Sequence, residues 1–286
     1  MGQWNSELIS LLPRTVHIFA SAGAGYNWAD VDALAARGIW YANGAGCSDD
    51  AVSDTALWMI LSVFRNFTWG ALAARSGDVE AFGRAHRGVA EVSCNPRGRV
   101  LGLVGLGGIG RGLVPKARAL GLRVVYFDVR RVSVEEEEKL GVGWCGTLEE
   151  LLGSADCVSL HCPLNEKTRR LINRETIAMM KDGARLINTS RGGVVDEAAL
   201  VQALRSEKLS AAGLDVHEDE PWVNRELAAM ENVTLTTHVG GGAKETRIGF
   251  ELNAMKNVLA VVGEKGERVG EPLTPVNRPV FEESGH

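Results

Sequence analysis

The sequence predicts an α/β protein built mainly on a doubly wound parallel sheet. From residue 100 onward, short aliphatic runs alternate with segments of helical periodicity, which is typical of strands joined by right-handed helical crossovers. The aliphatic runs are continuous, as expected for strands that helices cover on both faces. Glycine accounts for 34 of the 286 residues. This exceeds the usual share of about 7%, and many glycines lie where a strand would meet a helix.

Length and composition narrow the class of protein. A chain of 286 residues predicts two domains, since one domain takes roughly 150 residues. The net charge of −5 and the pI of ≈ 5.8 argue against a nucleic-acid partner. The longest apolar run, Ala56–Phe64, is shorter than the ~18 residues that a membrane span needs. No secretory signal pattern and no metal-binding spacing is present, and five cysteines without a CxxC motif indicate free thiols. We therefore expect a cytoplasmic protein without a metal or a membrane partner.

The first part of the chain differs from the rest. Val16–Ala22 and Gly38–Asn43 have the pattern of strands, and the segment Asp30–Ala36 between them has that of a helix. Ala51–Ala74 has a long apolar periodicity that predicts one helix. The tail is expected to form a helix over Ala243–Val262, followed by an irregular end.

The part from residue 100 supplies the elements of the doubly wound sheet. Six strands are predicted, at Val100–Leu106, Leu122–Asp128, Cys157–Pro163, Ala184–Ser190, Ala211–Val216 and Val233–His238. The helices between them are predicted at Ile109–Leu120, after the capping residue Thr147, at Arg174–Lys181 and at Glu197–Leu209, where Asp196 is the expected cap. Glu150 is expected to reach back to Thr147 and complete a capping box. The acidic run Glu135–Glu138 is expected to be a solvated helix face.

A glycine motif lies between the first strand and the first helix of this part. The run Gly105-Leu-Gly107-Gly108-Ile109-Gly110 has the GxGxxG spacing, and Asp128 ends the next strand. The glycines allow a tight turn, a close approach of a pyrophosphate and close helix packing, while the helix N-terminus attracts the phosphates. Asp128 favours NAD because a carboxylate binds ribose hydroxyls and repels a 2′-phosphate. Arg130 and Arg131 follow it and leave NADP open.

Three ionisable residues follow later strands at the same expected sheet edge. They are Arg191, Glu220 and His238. Each has an ordinary alternative role: a surface ion pair for Arg191, a loop acid for Glu220 and a structural histidine for His238. Together they suit hydride transfer to a 2-oxo acid. A guanidinium binds carboxylate and carbonyl oxygens, an imidazole supplies the proton, and a carboxylate fixes the imidazole tautomer.

Here the sequence resembles the NAD-dependent D-isomer-specific 2-hydroxyacid dehydrogenases. The resemblance extends from about Ser21 to Gly242, and it rests on SAGAGYNWADVDALAARGIWYANG, VLGLVGLGGIG with Asp128, HCPLNEKT, INTSRGGVVDEAAL, AGLDVHEDEP and THVGGGA. The resemblance implies a Rossmann nucleotide domain, residues 47–240, inserted in a smaller flavodoxin-like α/β substrate domain, residues 1–46 and 241–286. Family members usually have further βα units ahead of the first strand, so we expect an N-terminally truncated substrate domain.

The resemblance also implies residue roles. Arg191 corresponds to the arginine that binds the substrate, Glu220 to the acid that pairs with the histidine, and His238 to the proton donor. Asp215 corresponds to the residue that holds the nicotinamide carboxamide. The backbone of Ala24 and Gly25 is expected to bind the substrate carboxylate. The remaining residues expected to line the cofactor cleft are Ile109, His161, Pro163 and Thr189. Glutamate at position 220 disfavours formate, since the formate dehydrogenases of this family have glutamine there.

We therefore expect an oxidoreductase that transfers hydride between NAD(H) and a 2-oxo acid or D-2-hydroxy acid. Two alternatives stay open at this point: an NADH-sensing corepressor-like binding protein, and an inactive truncated dehydrogenase. The substrate is also open, because Tyr26, Trp28 and Trp222 fit either an apolar pocket or the core. The family is usually dimeric, and Ala51–Ala74, with Trp58, Phe64 and Trp69, is a candidate for a homodimer face.

Overall fold

The computed structural model describes residues 3–279. The chain forms two compact units. Unit 1 takes its described residues from Met1–Ser48 and Gly242–His286, and unit 2 is Asp49–Gly241. The last seven residues of the expected substrate domain, 280–286, lie outside the described residues. In residues 3–279, no helix has the length and the apolar character that crossing a bilayer requires.

The described residues form nine strands and twelve α-helices. The strands are β1 (Ile18–Ala20), β2 (Trp40–Ala42), β3 (Val100–Val104), β4 (Arg123–Phe127), β5 (Val142–Trp144), β6 (Cys157–Leu160), β7 (Ala184–Asn188), β8 (Leu209–Leu214) and β9 (Val233–Leu235). The helices are α1 (Ser6–Ser10), α2 (Val31–Ala36), α3 (Asp49–Arg65), α4 (Phe67–Ser76), α5 (Val79–Val92), α6 (Gly108–Ala119), α7 (Val134–Leu140), α8 (Leu148–Ser154), α9 (Arg174–Met179), α10 (Glu197–Arg205), α11 (Arg225–Ala228) and α12 (Lys244–Val261).

Unit 2 contains a seven-stranded parallel sheet, in the order β5-β4-β3-β6-β7-β8-β9. The first strand of the unit, β3, therefore lies inside the sheet between β4 and β6. The connections run outward from it in both directions, which makes the sheet doubly wound and opens a crevice at the carboxyl ends of β3 and β6. The prediction of this fold class is confirmed, but the prediction of six strands missed β5, whose three residues carry too little pattern.

Helices cover both faces of this sheet. One face packs against α3 and α6, with Met59, Phe64 and Leu113 in its buried core. The other face packs against α8, α9 and α10, with Leu151 and Leu200 in its core. Strand residues alternate between the two cores, since successive side chains of a strand point to opposite faces. This explains why the strands have continuous aliphatic sequences.

The capping residues act as expected, with one difference. Asp196 accepts a hydrogen bond from the N–H of Ala199, and Thr147 accepts one from the N–H of Glu150. The Glu150 carboxylate does not return to Thr147. It accepts instead from the N–H of Gly146, at 2.7 Å. Both bonds satisfy N–H groups at the start of α8, where the helix itself offers no acceptor.

The long helix expected over Ala51–Ala74 is two helices. Asn66 adopts a left-handed backbone, with φ 49°, between α3 and α4. Its side-chain amide donates to Ser93, which follows α5. The apolar periodicity continues through this break, so the sequence pattern did not reveal it. Helix α5 was also missed.

Unit 1 contains a two-stranded parallel sheet, β1–β2. Its core is aromatic and aliphatic, with Ile9, Leu34 and Tyr41 buried. Trp28 packs against Tyr41 and is partly buried in this core. Helix α12 also packs against β1.

The acidic run at residues 135–138 is only partly solvated. Glu137 is buried, and its carboxylate accepts from the Tyr126 hydroxyl and from both Nε and Nη2 of Arg131. The Arg131 guanidinium and the Tyr126 hydroxyl lower the pKa of Glu137 to about 2. The expectation of a solvated face was wrong for this residue, because the arginine and the tyrosine compensate its burial.

The lowered pKa of Glu137 predicts a pH-dependent contribution to stability. A carboxyl group with a pKa of about 2 when folded and about 4.3 when unfolded stabilises the fold above pH ~4.5, and the contribution is lost as the pH falls toward 2. In urea unfolding, the wild type should therefore exceed E137Q in stability at pH 7, and the difference should shrink at pH 3. A difference that is constant between these two pH values would contradict the ion pair.

Candidate active site

The residues predicted for cofactor and catalysis in unit 2 follow strand ends. The glycine loop follows β3, Asp128 follows β4, His161 and Pro163 follow β6, Thr189 and Arg191 follow β7, Asp215 and Glu220 follow β8, and His238 follows β9. Because these strands are parallel, their carboxyl ends lie at one edge of the sheet. The structure therefore brings this set of residues to the edge where ligands of such sheets bind.

The glycine loop has the geometry that a dinucleotide requires. Gly105 has φ +102°, which a residue with a side chain adopts only with strain. A Cβ added to Gly107 would meet no atom within 4 Å, so the backbone there borders open space. Gly107 is also the N-cap of α6 and provides no side-chain cap. The first N–H groups of this helix thus remain for a phosphate.

Other groups around the loop fit the same ligand. The Asp128 carboxylate accepts from the N–H of Leu106, at 2.8 Å, which holds the acid beside the loop. Within residues 3–279, Thr189 Oγ1 and His161 Nδ1 are buried and have no hydrogen-bond partner. Orphaned polar atoms of this kind suit a polar ligand. The residues present therefore fit NAD.

Four further observations concern residues predicted for the cofactor site. Burial lowers the pKa of His161 to about 4, so its imidazole is neutral at pH 7. The Pro163 carbonyl accepts from Thr168 Oγ1 at 2.6 Å, which closes the loop after β6. Gly108, next in the glycine loop, packs against the Asp49 carboxylate at the start of α3. Ile109 is partly buried in the first turn of α6.

His238 and Glu220 form a direct pair. The imidazole Nδ1 lies 2.9 Å from Glu220 Oε2, and Glu220 Oε1 accepts from the N–H of His217 at 3.0 Å. Burial raises the pKa of Glu220, but these hydrogen bonds lower it more, and the net pKa is below the ordinary value. The carboxylate is therefore ionised, and Nδ1 carries the proton that it accepts. This leaves Nε2 of His238 for a ligand.

Arg191 is the third member of the group. Its Nη1 donates to the Ser190 carbonyl at 2.6 Å, which fixes the guanidinium over the end of β7. Burial lowers the pKa of Arg191, and the nearby Glu220 carboxylate opposes that shift. Arg191 follows β7, and Glu220 and His238 follow the neighbouring strands β8 and β9, so all three lie at the same edge of the sheet. A partly desolvated guanidinium binds a carboxylate more strongly than a fully hydrated one.

Asp215 holds the segment that carries His238. Its buried carboxylate accepts from Thr236 Oγ1 and from the N–H groups of Val239 and Gly240, at 2.6 to 2.8 Å. The N–H of His238 donates to the Asp215 carbonyl. His238 has φ +58°, a left-handed conformation that costs on the order of 1 kcal/mol for a non-glycine residue. These bonds keep it there, and Asp215 Oδ2 retains acceptor capacity for one more donor.

His217 was not recognised from the sequence. Its ring is buried, and Nε2 donates to the Thr236 carbonyl at 2.8 Å. Its backbone N–H meanwhile holds Glu220. His217 thus ties the loop of Glu220 to the segment of His238. Its position in HEDEP placed it near the acid, but no pattern in the sequence indicated the carbonyl that it contacts.

Ala24 and Gly25 belong to unit 1 and lie in the loop after β1. The carbonyl of Ala24 accepts from Asn43 Nδ2 at 2.6 Å, and that of Gly25 accepts from Trp28 Nε1 at 3.1 Å. Side chains of unit 1 therefore hold this loop in place.

A glycine loop, a carboxylate after the second strand and a histidine–carboxylate–arginine group at one sheet edge define a nicotinamide-dependent oxidoreductase. The family model for "D-isomer specific 2-hydroxyacid dehydrogenase, NAD binding domain" matches residues 57–240. The chain belongs to this family.

Individual relatives from two fungi and an archaeon support the same family membership. The solved structure of D-mandelate dehydrogenase from Rhodotorula graminis is 46% identical, has a TM-score of 0.90 and aligns over 96% of this chain and 81% of that one. The 4-methyl-2-oxopentanoate reductase A of Aspergillus oryzae is 34% identical over 98% of this chain and 81% of its own. The glyoxylate reductase of Thermococcus litoralis is 35% identical over 98% and 82%, respectively.

The bond between His217 and Thr236 predicts a loss of turnover without a loss of cofactor binding. H217F removes the donor, so Glu220 and His238 lose a fixed separation, and kcat should fall roughly ten- to a hundredfold. H217Q keeps a side-chain N–H and should retain more of the activity, while NADH binding by fluorescence should be unchanged in both variants. Equal losses in H217F and H217Q would contradict a role for the donated bond.

Proposed function

We propose that this protein reduces a 2-oxo acid to the D-2-hydroxy acid with NADH, and that His238 donates the proton. The observation that carries the assignment of the proton donor is the 2.9 Å contact of His238 Nδ1 with the Glu220 carboxylate. Family membership supports the reaction class. The carboxylate accepts from Nδ1 and so fixes the orientation of the imidazole. The other ring nitrogen is then a proton donor directed at the substrate oxygen.

His238 suits proton transfer because it is not sealed from water. Its side chain is 45% exposed and that of Glu220 36%, so the imidazole can regain a proton after each turnover. In the direction of reduction, Nε2 gives its proton to the carbonyl oxygen as negative charge forms there. In the reverse direction, the neutral imidazole takes the hydroxyl proton. Glu220 stays ionised and stabilises the imidazolium.

Arg191 is the proposed substrate anchor. A guanidinium offers parallel donors that match a carboxylate and the neighbouring carbonyl oxygen of a 2-oxo acid. The same donors stabilise the charge that develops on that oxygen in the transition state. The partly buried position of Arg191 strengthens this interaction. Ala24 and Gly25 remain the predicted backbone ligands of the substrate carboxylate.

The cofactor would be held by the residues after β3, β4, β6, β7 and β8. When bound, the nicotinamide supplies the hydride for reduction. The N–H groups at the start of α6 would hold the pyrophosphate, and Asp128 the adenosine ribose. Thr189 Oγ1 and His161 Nδ1, both buried and unpartnered in residues 3–279, would contact the cofactor, and Asp215 Oδ2 would accept from its carboxamide.

We propose substrates with large apolar side chains. The R. graminis enzyme, which is 46% identical, is named for mandelate, and its oxidised counterpart would be phenylglyoxylate. Tyr26 and Trp222, the aromatic residues considered for an apolar pocket, both have exposed side chains. Trp28 packs in the core of unit 1 and is a weaker candidate than Tyr26.

We also propose a cytosolic homodimer that pairs through α4 and α5. Each of these helices has a single buried residue, Ala73 and Ala85, respectively. Their exposed side chains include Phe67, Leu72 and Phe82. Exposed apolar side chains on adjacent helices are typical of an interface between subunits. Phe64, expected at this face, is in the core of unit 2. The five free cysteines agree with a reducing compartment.

The role of His238 predicts that H238N abolishes turnover while NADH still binds. Asparagine cannot donate a titratable proton, so kcat should fall about a thousandfold, and the dissociation constant for NADH by fluorescence should stay near the wild-type value. H17N, at a histidine just ahead of β1 in unit 1, is the matched control and should be fully active. Near-normal turnover of H238N would contradict the assignment.

The proposed substrate class predicts an order of specificity constants. With NADH, kcat/KM for phenylglyoxylate and 4-methyl-2-oxopentanoate should exceed that for glyoxylate at least about tenfold, because an apolar side chain gains affinity in an apolar site. Pyruvate and hydroxypyruvate are measured in the same assay as 2-oxo acids with small side chains. A preference for glyoxylate would contradict the proposed substrates and leave the reaction class intact.

A further inference from the structure

The two arginines that follow Asp128 are in different situations. Both lie close enough in sequence to the ribose-binding carboxylate to contact a phosphate on the adenosine 2′ oxygen. Arg131 donates through Nε and Nη2 to the two oxygens of Glu137, each at 2.8 Å. Its guanidinium also lies over the ring of Trp144, 5.9 Å from the centroid. Arg130 is exposed, and its backbone N–H donates to Asp128.

The partner of Arg131 is itself held in place. Glu137 is buried in α7, and its Oε1 also accepts from the Tyr126 hydroxyl at 2.7 Å. The Tyr126 hydroxyl in turn accepts from the N–H of Val132, which follows Arg131. Tyr126 lies in β4, and its ring contacts Trp144 of β5. The loop after Asp128 is therefore bound to the sheet and to α7 by one continuous group of side chains.

We propose that Glu137 is a specificity-determining residue, which holds Arg131 away from an adenosine 2′-phosphate and so makes the protein selective for NAD. A guanidinium that makes two parallel bonds to a carboxylate has to give them up before it can bind a phosphate in the same way. The Asp128 carboxylate then acts on the ribose without a competing cation from Arg131. The inference rests on the proposed cofactor site.

The two arginines therefore have different tasks despite their adjacency. Arg131 stabilises the loop and the buried Glu137, and contributes nothing to nucleotide choice while that bond exists. Arg130 is the one whose guanidinium remains available to a 2′-phosphate. The sequence alone left NADP open because it showed both arginines and could not show that one of them is already bound.

The first test compares NADH and NADPH binding, measured by nicotinamide fluorescence in the absence of substrate. E137Q keeps the shape of the side chain but removes its charge, so Arg131 is released. The affinity for NADPH relative to that for NADH should rise about tenfold, because the 2′-phosphate gains a charge-assisted hydrogen bond from Arg131. In E137Q/R131M the gain should disappear. E138Q removes an equal charge from an exposed position of the same helix and should change nothing.

The outcomes separate this inference from the proposed function. If the wild type binds neither dinucleotide, both fail. If NADH binds and E137Q has the same NADH-to-NADPH ratio as E138Q, only the role of Glu137 is overturned. The same holds if the gain in E137Q persists after R131M, since Arg131 would then not be its source.

A second set of variants leaves Glu137 intact and guards against poor folding of E137Q. D128S removes the repulsive charge and keeps an oxygen that can accept from the N–H of Leu106. In this background, NADPH affinity should rise and should fall again with R130M, whereas R131M should leave it unchanged. A loss of NADPH affinity on adding R131M to D128S would mean that Arg131 reaches the 2′-phosphate in spite of Glu137, and would overturn the proposal.

Discussion

All seven strands of unit 2 run in one direction, and this constraint determines where the chemistry occurs. Parallel strands end at a common edge, so groups that are far apart in sequence meet there. Arg191, Glu220 and His238 follow three neighbouring strands, and the glycine loop follows β3, an inner strand of the same sheet. The core on both faces fixes the strands, and the strands fix the edge. The functional group thus depends on a sheet whose own residues are mostly apolar.

Electrostatic pairing distinguishes side chains that act on a ligand from those that act on the fold. Arg131 donates two parallel hydrogen bonds to Glu137, which also accepts one from the Tyr126 hydroxyl. Arg191 is instead desolvated and lies near an acid that is already bound to a histidine. Charge that is paired within the fold stabilises the structure, while a partly buried charge at a strand end is suited to binding a ligand. The same residue type therefore takes opposite roles within one unit.

The fold class and the strand-end residues were predictable because they depend on short-range patterns. Aliphatic runs define strands, and residues just after them lie at the edge. The predicted strands extended one to three residues too far, since the chain leaves the sheet where the site begins. The break at Asn66, the burial of Glu137 and the bond from His217 to Thr236 were not predictable. Each depends on a partner that is adjacent only after folding, and no local pattern encodes that partner.

The most direct test of the central claim is the fate of isotope in a single reduction. NADH carrying deuterium at the transferred position of C4 is reacted with phenylglyoxylate and the wild-type protein, and the product is resolved by chiral chromatography and mass spectrometry. If Arg191, Glu220 and His238 hold the 2-oxo acid in one orientation against the nicotinamide, the product is the D-isomer alone, with one deuterium at C2. A racemic product, the L-isomer, or a product without the label would contradict the account.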